Sequence, residues 1–356
     1  MSEAMRSPLD AEHREAGARF ITFAGWRLPV HYGSILREGR AVRASAGMFD
    51  VSHMGRFIVR GPDALDVLQR LGTNDLTKVK PGKAQYTLWC TPDGGTIDDL
   101  IVNWLTDDDF LVVVNGSRRD DDFEHLTEHA SGRDVTIVDD TLRTSMIAVQ
   151  GPDAREIVAS LGANTGMKRF GVKRSDVAGV GAVISRTGYT GEDGVEIICE
   201  AGGAPRVFEA LREAGVEPCG LGARDALRME MGYPLYGHEL SLDTSPLEAG
   251  VGFAVALDKP DFVGGDALRK QAGERPARKL LGFVASKPCV PQPGDEVGPG
   301  TVTSGGTSVV LDAPIGLAFV PADASPGPGT LHTRGKQIDV DLRELPLIDR
   351  GRPKKR

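Results

Sequence analysis

The sequence contains no run of about 18 apolar residues, so no membrane-spanning helix is expected. Cysteine is scarce and scattered: Cys90, Cys199, Cys219 and Cys289 form no C-x-x-C pair. That spacing argues against structural zinc, a redox motif and a disulfide framework, and leaves four inert thiols in a reducing compartment. The seven histidines are equally dispersed, without metal-ligand spacing, so no metal is expected. Excess positive charge is absent too. A formal charge of −8 repels phosphate backbones and disfavours nucleic-acid binding. The one basic cluster, Arg350, Arg352, Lys354, Lys355 and Arg356, is expected to be a solvated tail over residues 351–356. Residues Met1 to Arg19 lack the apolar core of a secretory signal, which points to a cytoplasmic protein.

What is present is the mixture of a globular chain, 40% hydrophobic and 26% charged over 356 residues, long enough for two or three domains. Short β-branched runs bounded by Gly, Asp and Pro alternate with helical stretches. The strands include Arg56–Arg60, Gln85–Cys90, Thr96–Leu105, Phe110–Asn115, Met146–Gln150, Gly181–Arg186 and Gly194–Glu200. Helices are expected over Pro62–Leu71, Asp120–His129, Pro152–Leu161, Ala204–Glu213 and Arg224–Met231. The fold class is therefore α+β with mostly antiparallel sheets. The stretch Arg60 to Asn74 is similar to Gln150 to Asn164: a strand enters Gly-Pro-Asp, and a helix follows. The pairing fits either two related subdomains or one junction used twice. The charged segment Lys270–Lys279 then separates residues 1–270 from a strand-rich tail, 277–350, expected to form a small β-barrel.

Three stretches could carry chemistry. Strands around the Asp93-Gly-Gly95 turn and the Thr106–Asp109 turn read as a three-stranded meander. Counting from the turns places Tyr86 near Ile101, and Asn115 near Leu100. Side chains alternate along a strand, so Asp98 and Asp99 face opposite ways. Strand centres disfavour Asp, so either both extend the turn into solvent or one is an aimed carboxylate. The second stretch, Ser185 to Ile197, carries Tyr189 in a glycine-rich loop and Glu196 in the returning strand. It has no Gly-Lys-Ser/Thr and is not a phosphate loop. The third, Gly220 to Glu239, opens a helix with Arg224 in its first turn. A cation is disfavoured there by the helix dipole, which implies a tie to a carboxylate or ligand.

These stretches together resemble the glycine cleavage T-protein family. The matching segments include Phe23-Ala-Gly-Trp26, Gly47 to Gly55, Gly94-Gly-Thr-Ile-Asp-Asp-Leu-Ile-Val102 and Val114-Asn115. They continue through Arg186 to Gly194, Gly220 to Asp225, Pro234 to His238, Pro246 to Gly250 and Asp261 to Gly264. The resemblance implies a three-lobed ring: two related α+β folate-binding subdomains and the C-terminal barrel, around tetrahydrofolate. It implies an aminomethyltransferase of the glycine cleavage system, with lipoylated H-protein as partner and a monomer or weak dimer as the working form. By the same resemblance Asp99 is the catalytic residue facing folate N10. Glu196 and Arg224 are implied at the pterin end, with Met54, Tyr86, Ile101, Asn115 and Tyr189 lining the channel.

The sequence departs from the family in places. Asn103 stands where relatives often carry an aromatic, and the run Arg118 to Asp122 lacks a familiar Lys. The barrel segments Lys287–Pro291 and Thr303–Val309 also differ. A folate-dependent demethylase of a methylated amine, sulfonium compound or ether on the same fold is the alternative reading.

Overall fold

The computed structural model describes residues 4–349 and the pairing of Arg352–Pro353 with Ile348–Asp349. The rest of the basic tail lies outside the described residues.

The similarity between Arg60–Asn74 and Gln150–Asn164 reappears as two matched sheets. Strand Gly55–Arg60 runs into Gly61-Pro62 and helix Ala64–Leu71. A meander of Lys83–Cys90, Thr96–Thr106 and Asp109–Val114 follows, and its last strand returns antiparallel to Gly55–Arg60. Strand Thr144–Gln150 repeats the pattern. It enters Gly151-Pro152 and helix Ala154–Ser160, then a meander of Val172–Val177, Val180–Ser185 and Gly194–Glu200 returns to it. Gly61 and Gly151 adopt φ of +132° and +136°. A Cβ at Gly61 would lie 2.4 Å from the Asp134 carbonyl oxygen, and at Gly151 2.2 Å from that of Ser45. Both turns therefore require glycine. Strand Thr136–Asp139 completes the first sheet, and Gly47–Asp50 and Glu217–Pro218 complete the second.

Each sheet buries one face beneath its own helices. The first packs Phe57, Leu100, Val102 and Trp104 against Leu68 and Leu126. The second packs Ile147, Ile184 and Ile197 against Val158 and Phe208. Their other faces share a third core, in which Leu111 and Val113 of the first sheet join Met146, Ala148 and Ile198 of the second. Helix Leu221–Met231 adds Ala223 and Leu227 to that core.

Six strands from Arg278–Ala285 to Lys336–Arg343 close into a barrel around Leu281, Phe283, Val320 and Leu331. Closure leaves no open edge. Buried charge fastens the barrel to the body. Arg228 Nη1 donates to Glu239 Oε2 at 2.9 Å, and its Nη2 donates to Ser304 Oγ of the barrel at 2.7 Å. Two residues further along the helix, Glu230 accepts from Arg43, from Ser308 Oγ and from the backbone N–H of Val310.

Among the described residues no helix is long and apolar enough to cross a membrane. All four cysteines are free thiols; Cys90, Cys199 and Cys219 are buried.

Candidate functional site

Where the two sheets, helix Leu221–Met231 and the N-terminal strand Arg19–Phe23 converge, they enclose a cavity of ≈ 970 Å³. Met54, Tyr86, Asp99, Ile101, Asn115, Tyr189, Glu196 and Arg224 all line it. The sequence reading left open which aspartate of the pair is aimed. Asp98 shares its face with Leu100 and Val102, which lie in the helix-covered core of the first sheet. Asp99 shares its face with Ile101, which packs on the core common to both sheets. Asp99 is therefore the carboxylate on the cavity side.

The meander register brings its partners to it. Tyr86 pairs with Ile101, as counted from the turns. The expectation for Asn115 shifts by one residue. Ile101 pairs with Val113, and the strand ends at Val114, so Asn115 lies beyond the ladder against the aspartates. Its backbone N–H is then free to donate to Asp98 Oδ2 at 2.8 Å. Its side-chain Nδ2 lies 2.9 Å from both Asp98 Oδ1 and Asp99 Oδ1. Tyr86 Oη donates to Asp99 Oδ2 at 3.0 Å. Burial pushes the Asp99 carboxyl up to about 6, opposed by the bonds from Tyr86 and Asn115. Asp99 is thus an anion above that pH and keeps lone pairs for a further donor.

The opposite wall holds the second group. Thr187 Oγ1 donates to Glu196 Oε2, and among the described residues no other side chain or backbone group donates to that carboxylate. Burial raises the Glu196 carboxyl, against the pull of Thr187 and Arg224. The Arg224 guanidinium sits 4.7 Å from the Tyr189 ring centroid, and its Nη1 is buried without a hydrogen-bond partner. The sequence reading tied Arg224 to a carboxylate or ligand. Among the described residues no ion pair binds it; the Glu196 charge only acts on it across the site. Tyr189 is held by its hydroxyl donating to the Pro234 carbonyl. The glycine-rich loop does approach something closely, but part of it is protein: a Cβ on Gly188 would lie 1.9 Å from Gln150 Oε1.

Three residues of the site were not anticipated. His53 is buried on the cavity wall; burial, with Arg224 nearby, pushes its imidazole down to about 3, so it is neutral. Its position next to Met54 was the available signal. Phe253 is 79% exposed and stacks on Tyr86 at 5.9 Å between centroids. It comes from the single 3₁₀ turn Gly252–Ala254, which has no local signature. Asp122, one of three consecutive aspartates, is fully buried behind Asp98. Among the described residues, no group of three His, Cys, Asp or Glu side chains is placed to hold a metal ion.

Paired α+β sheets that share one acid-walled cavity, closed by a C-terminal barrel, define a class of α+β enzyme. Residues 9–259 match the GCVT N-terminal domain family, and residues 278–349 match the glycine cleavage T-protein C-terminal barrel domain. The aminomethyltransferase of Halalkalibacterium halodurans is 43% identical, across 99% of this chain and 100% of that protein. That of Bacillus subtilis is 43% identical across 95% of each. The crystal structure of glycine cleavage system aminomethyltransferase T from Bartonella henselae superposes with a TM-score of 0.92 at 32% identity, over 99% of this chain and 100% of that one. The chain belongs to the glycine cleavage T-protein family, the aminomethyltransferases.

Proposed function

We propose that this chain transfers the aminomethyl carbon of a lipoylated H-protein to tetrahydrofolate. Ammonia, 5,10-methylenetetrahydrofolate and the dihydrolipoyl H-protein are the products. The observation that carries the reading is Asp99, an anionic acceptor held by Tyr86 and Asn115 on the wall of a cavity sized for a small-molecule ligand. On this reading residues 1–270 are the folate-binding region and residues 277–350 the barrel domain, from which Leu280, Glu344, Leu345 and Pro346 also reach the cavity.

The residues present fit a folate. The unpartnered Arg224 Nη1 and the open acceptor sites of Glu196 suit the hydrogen-bonding edge of a pterin. Tyr86 and Tyr189 offer faces to flat rings, and Met54 and Ile101 supply apolar wall. Bound tetrahydrofolate supplies the two nitrogens, N5 and N10, that take up the carbon. The protein's part is positional and electrostatic. Asp99 orients N10 and accepts the charge of its departing proton; Tyr86 and Asn115 keep the carboxylate aimed. Arg224 and Glu196 fix the far end, so that N10 falls at Asp99.

The direct test is turnover. Purified protein given aminomethylated H-protein and tetrahydrofolate should release ammonia. Absence of release, with turnover of a methylated small molecule instead, would favour the demethylase.

Two further outcomes follow from the geometry. The Asp99 carboxyl is raised to about 6, and only its anion can act as acceptor. Activity should therefore be present above that value and fall as pH drops through it. The acid limb of kcat/KM for tetrahydrofolate should lie near 6, as read by initial rates of ammonia release. A limb near the ordinary Asp value of about 3.9 would exclude Asp99 as the titrating group.

Glu196→Gln replaces a two-acceptor carboxylate by an amide with one donor end. Loss of charge-assisted pairing is worth about 1.5–3 kcal/mol. KM for tetrahydrofolate should therefore rise roughly 10- to 100-fold, with kcat within about threefold. An unchanged KM would place the pterin elsewhere.

A further inference from the structure

Behind Asp99 stands a second carboxyl, and behind that a third. Asp98 is fully buried beside Leu100 and Val102 and accepts two N–H groups from Asn115, at 2.8 and 2.9 Å. Asp122 lies in the first turn of helix Arg119–His129, equally buried, and its carboxyl meets that of Asp98. Among the described residues no N–H or O–H donates to either Asp122 oxygen.

Two buried carboxyls in contact repel strongly when both are ionised, so one proton is held between them. Its position follows from the donors. Asp98 has two N–H groups that favour its anion, whereas Asp122 has none. Of the surrounding charges, Asp98 and Asp121 favour a proton on Asp122 and Arg118 opposes it. Arg118 directs its Nε to the Ile97 carbonyl and an Nη to the exposed Asp121, and lies over the Tyr236 ring at 5.0 Å. Asp99 and Tyr86 face the pair from the cavity side, and the Asp99 charge further disfavours a second anion at the pair. Burial, and then the Asp98 charge, push the Asp122 carboxyl far above the usual carboxylate range.

We propose that Asp122 is a positioning residue: it carries a proton, donates it in a hydrogen bond to the Asp98 carboxylate, and through Asp98 and Asn115 holds Asp99 as an anion facing the cavity. The Asn115 amide has two hydrogens, and both are directed at carboxylates that must be acceptors. Were Asp98 to carry the proton, one of those acceptors would weaken and the amide could turn. Were neither to carry it, three adjacent anions would share one buried region, and Asp99 would take up a proton at a higher pH. The proposal rests on the reading of Asp99 as the acting carboxylate.

The test has a part that needs no substrate. Infrared difference spectra of the ligand-free protein at about pH 8, wild type minus Asp122→Asn, should contain the carbonyl stretch of a protonated carboxylic acid. Its absence overturns the proposal. Kinetics supply the second part. Asp122→Leu removes the donor and should lower kcat roughly tenfold, with KM for tetrahydrofolate within about threefold. Asp122→Asn still donates an N–H to Asp98 and should restore kcat to within about threefold of wild type, with the acid limb in place. If Asp122→Asn is as slow as Asp122→Leu, or its acid limb moves downward as after removal of a negative charge, the proton is not on Asp122. Should Asp122→Leu fail to fold, the infrared band and the Asp122→Asn profile decide alone. A wild-type rate in Asp99→Asn, with the infrared band present, overturns the positioning role through Asp99 while leaving the shared proton standing.

Discussion

Asp99→Asn is expected to lower kcat by about 10²- to 10⁴-fold, the usual contribution of a positioned proton acceptor. The substitution is close to isosteric. Its amide oxygen can still accept from Asn115, so the wall of the cavity keeps its shape. What is lost is the negative charge and the capacity to receive a proton. Tetrahydrofolate binding, measured by calorimetric titration, should change by no more than about threefold, because on the proposed reading the other end is held by Glu196 and Arg224, which line the same cavity. A loss of kcat with binding preserved separates an acting carboxylate from one that merely shapes the pocket. Near-wild-type turnover in the variant would show that the acceptor lies elsewhere.

The largest effect on stability is expected at Arg228→Met. Arg228 and Glu239 are both buried, and the pair bridges helix Leu221–Met231, the loop after it and Ser304 of the barrel. Removing the cation leaves Glu239 without its counter-ion; the hydroxyls of Thr303 and Ser304 and the backbone N–H of Leu235 remain as donors. Breaking one side of a buried pair costs about 3–5 kcal/mol. For a chain of this size that corresponds to a fall in Tm of roughly 4–7 °C by calorimetry. The double substitution Arg228→Met with Glu239→Leu should recover much of the loss, since it removes the uncompensated charge. A single-substitution cost under about 1 kcal/mol would mean that the barrel is fastened without this pair, by the Glu230 hydrogen bonds and by packing such as Met229 against Ile315 and Leu317.

Strand positions were legible because each meander strand combines β-branched residues with a strong turn. The Asp93-Gly-Gly95 turn placed Tyr86 within a residue of its partner, and a bulge between Trp89 and Cys90 brings it opposite Ile101. Alternation separated Asp98 from Asp99 but could not say which side was the cavity. That depends on which face the helices cover, a long-range fact recorded only in the packing of Leu100 and Val102. The one-residue shift of Asn115 has a local cause. A bulge between Trp104 and Thr106 moves the third strand relative to simple counting. Arg224 was singled out by its conflict with the helix dipole, which implied a tie to a carboxylate or ligand; among the described residues it has no ion pair and rests over the Tyr189 ring. Asp122 was hidden by its neighbours. A run of three aspartates at a helix start reads as a solvated, dipole-favoured turn, and only the packing of the helix on the first sheet buries the third of them. Phe253, in a single 3₁₀ turn, and His53, in a loop, carry no periodic signal, and each reaches the cavity through tertiary placement alone.

The most direct measurement is the structure of the protein with tetrahydrofolate bound. The account predicts N10 within hydrogen-bonding reach of an Asp99 oxygen, roughly 3 Å, with the pterin edge on Glu196 and Arg224. A folate whose N10 points away from Asp99, or whose pterin lies outside the cavity between the two sheets, would contradict it.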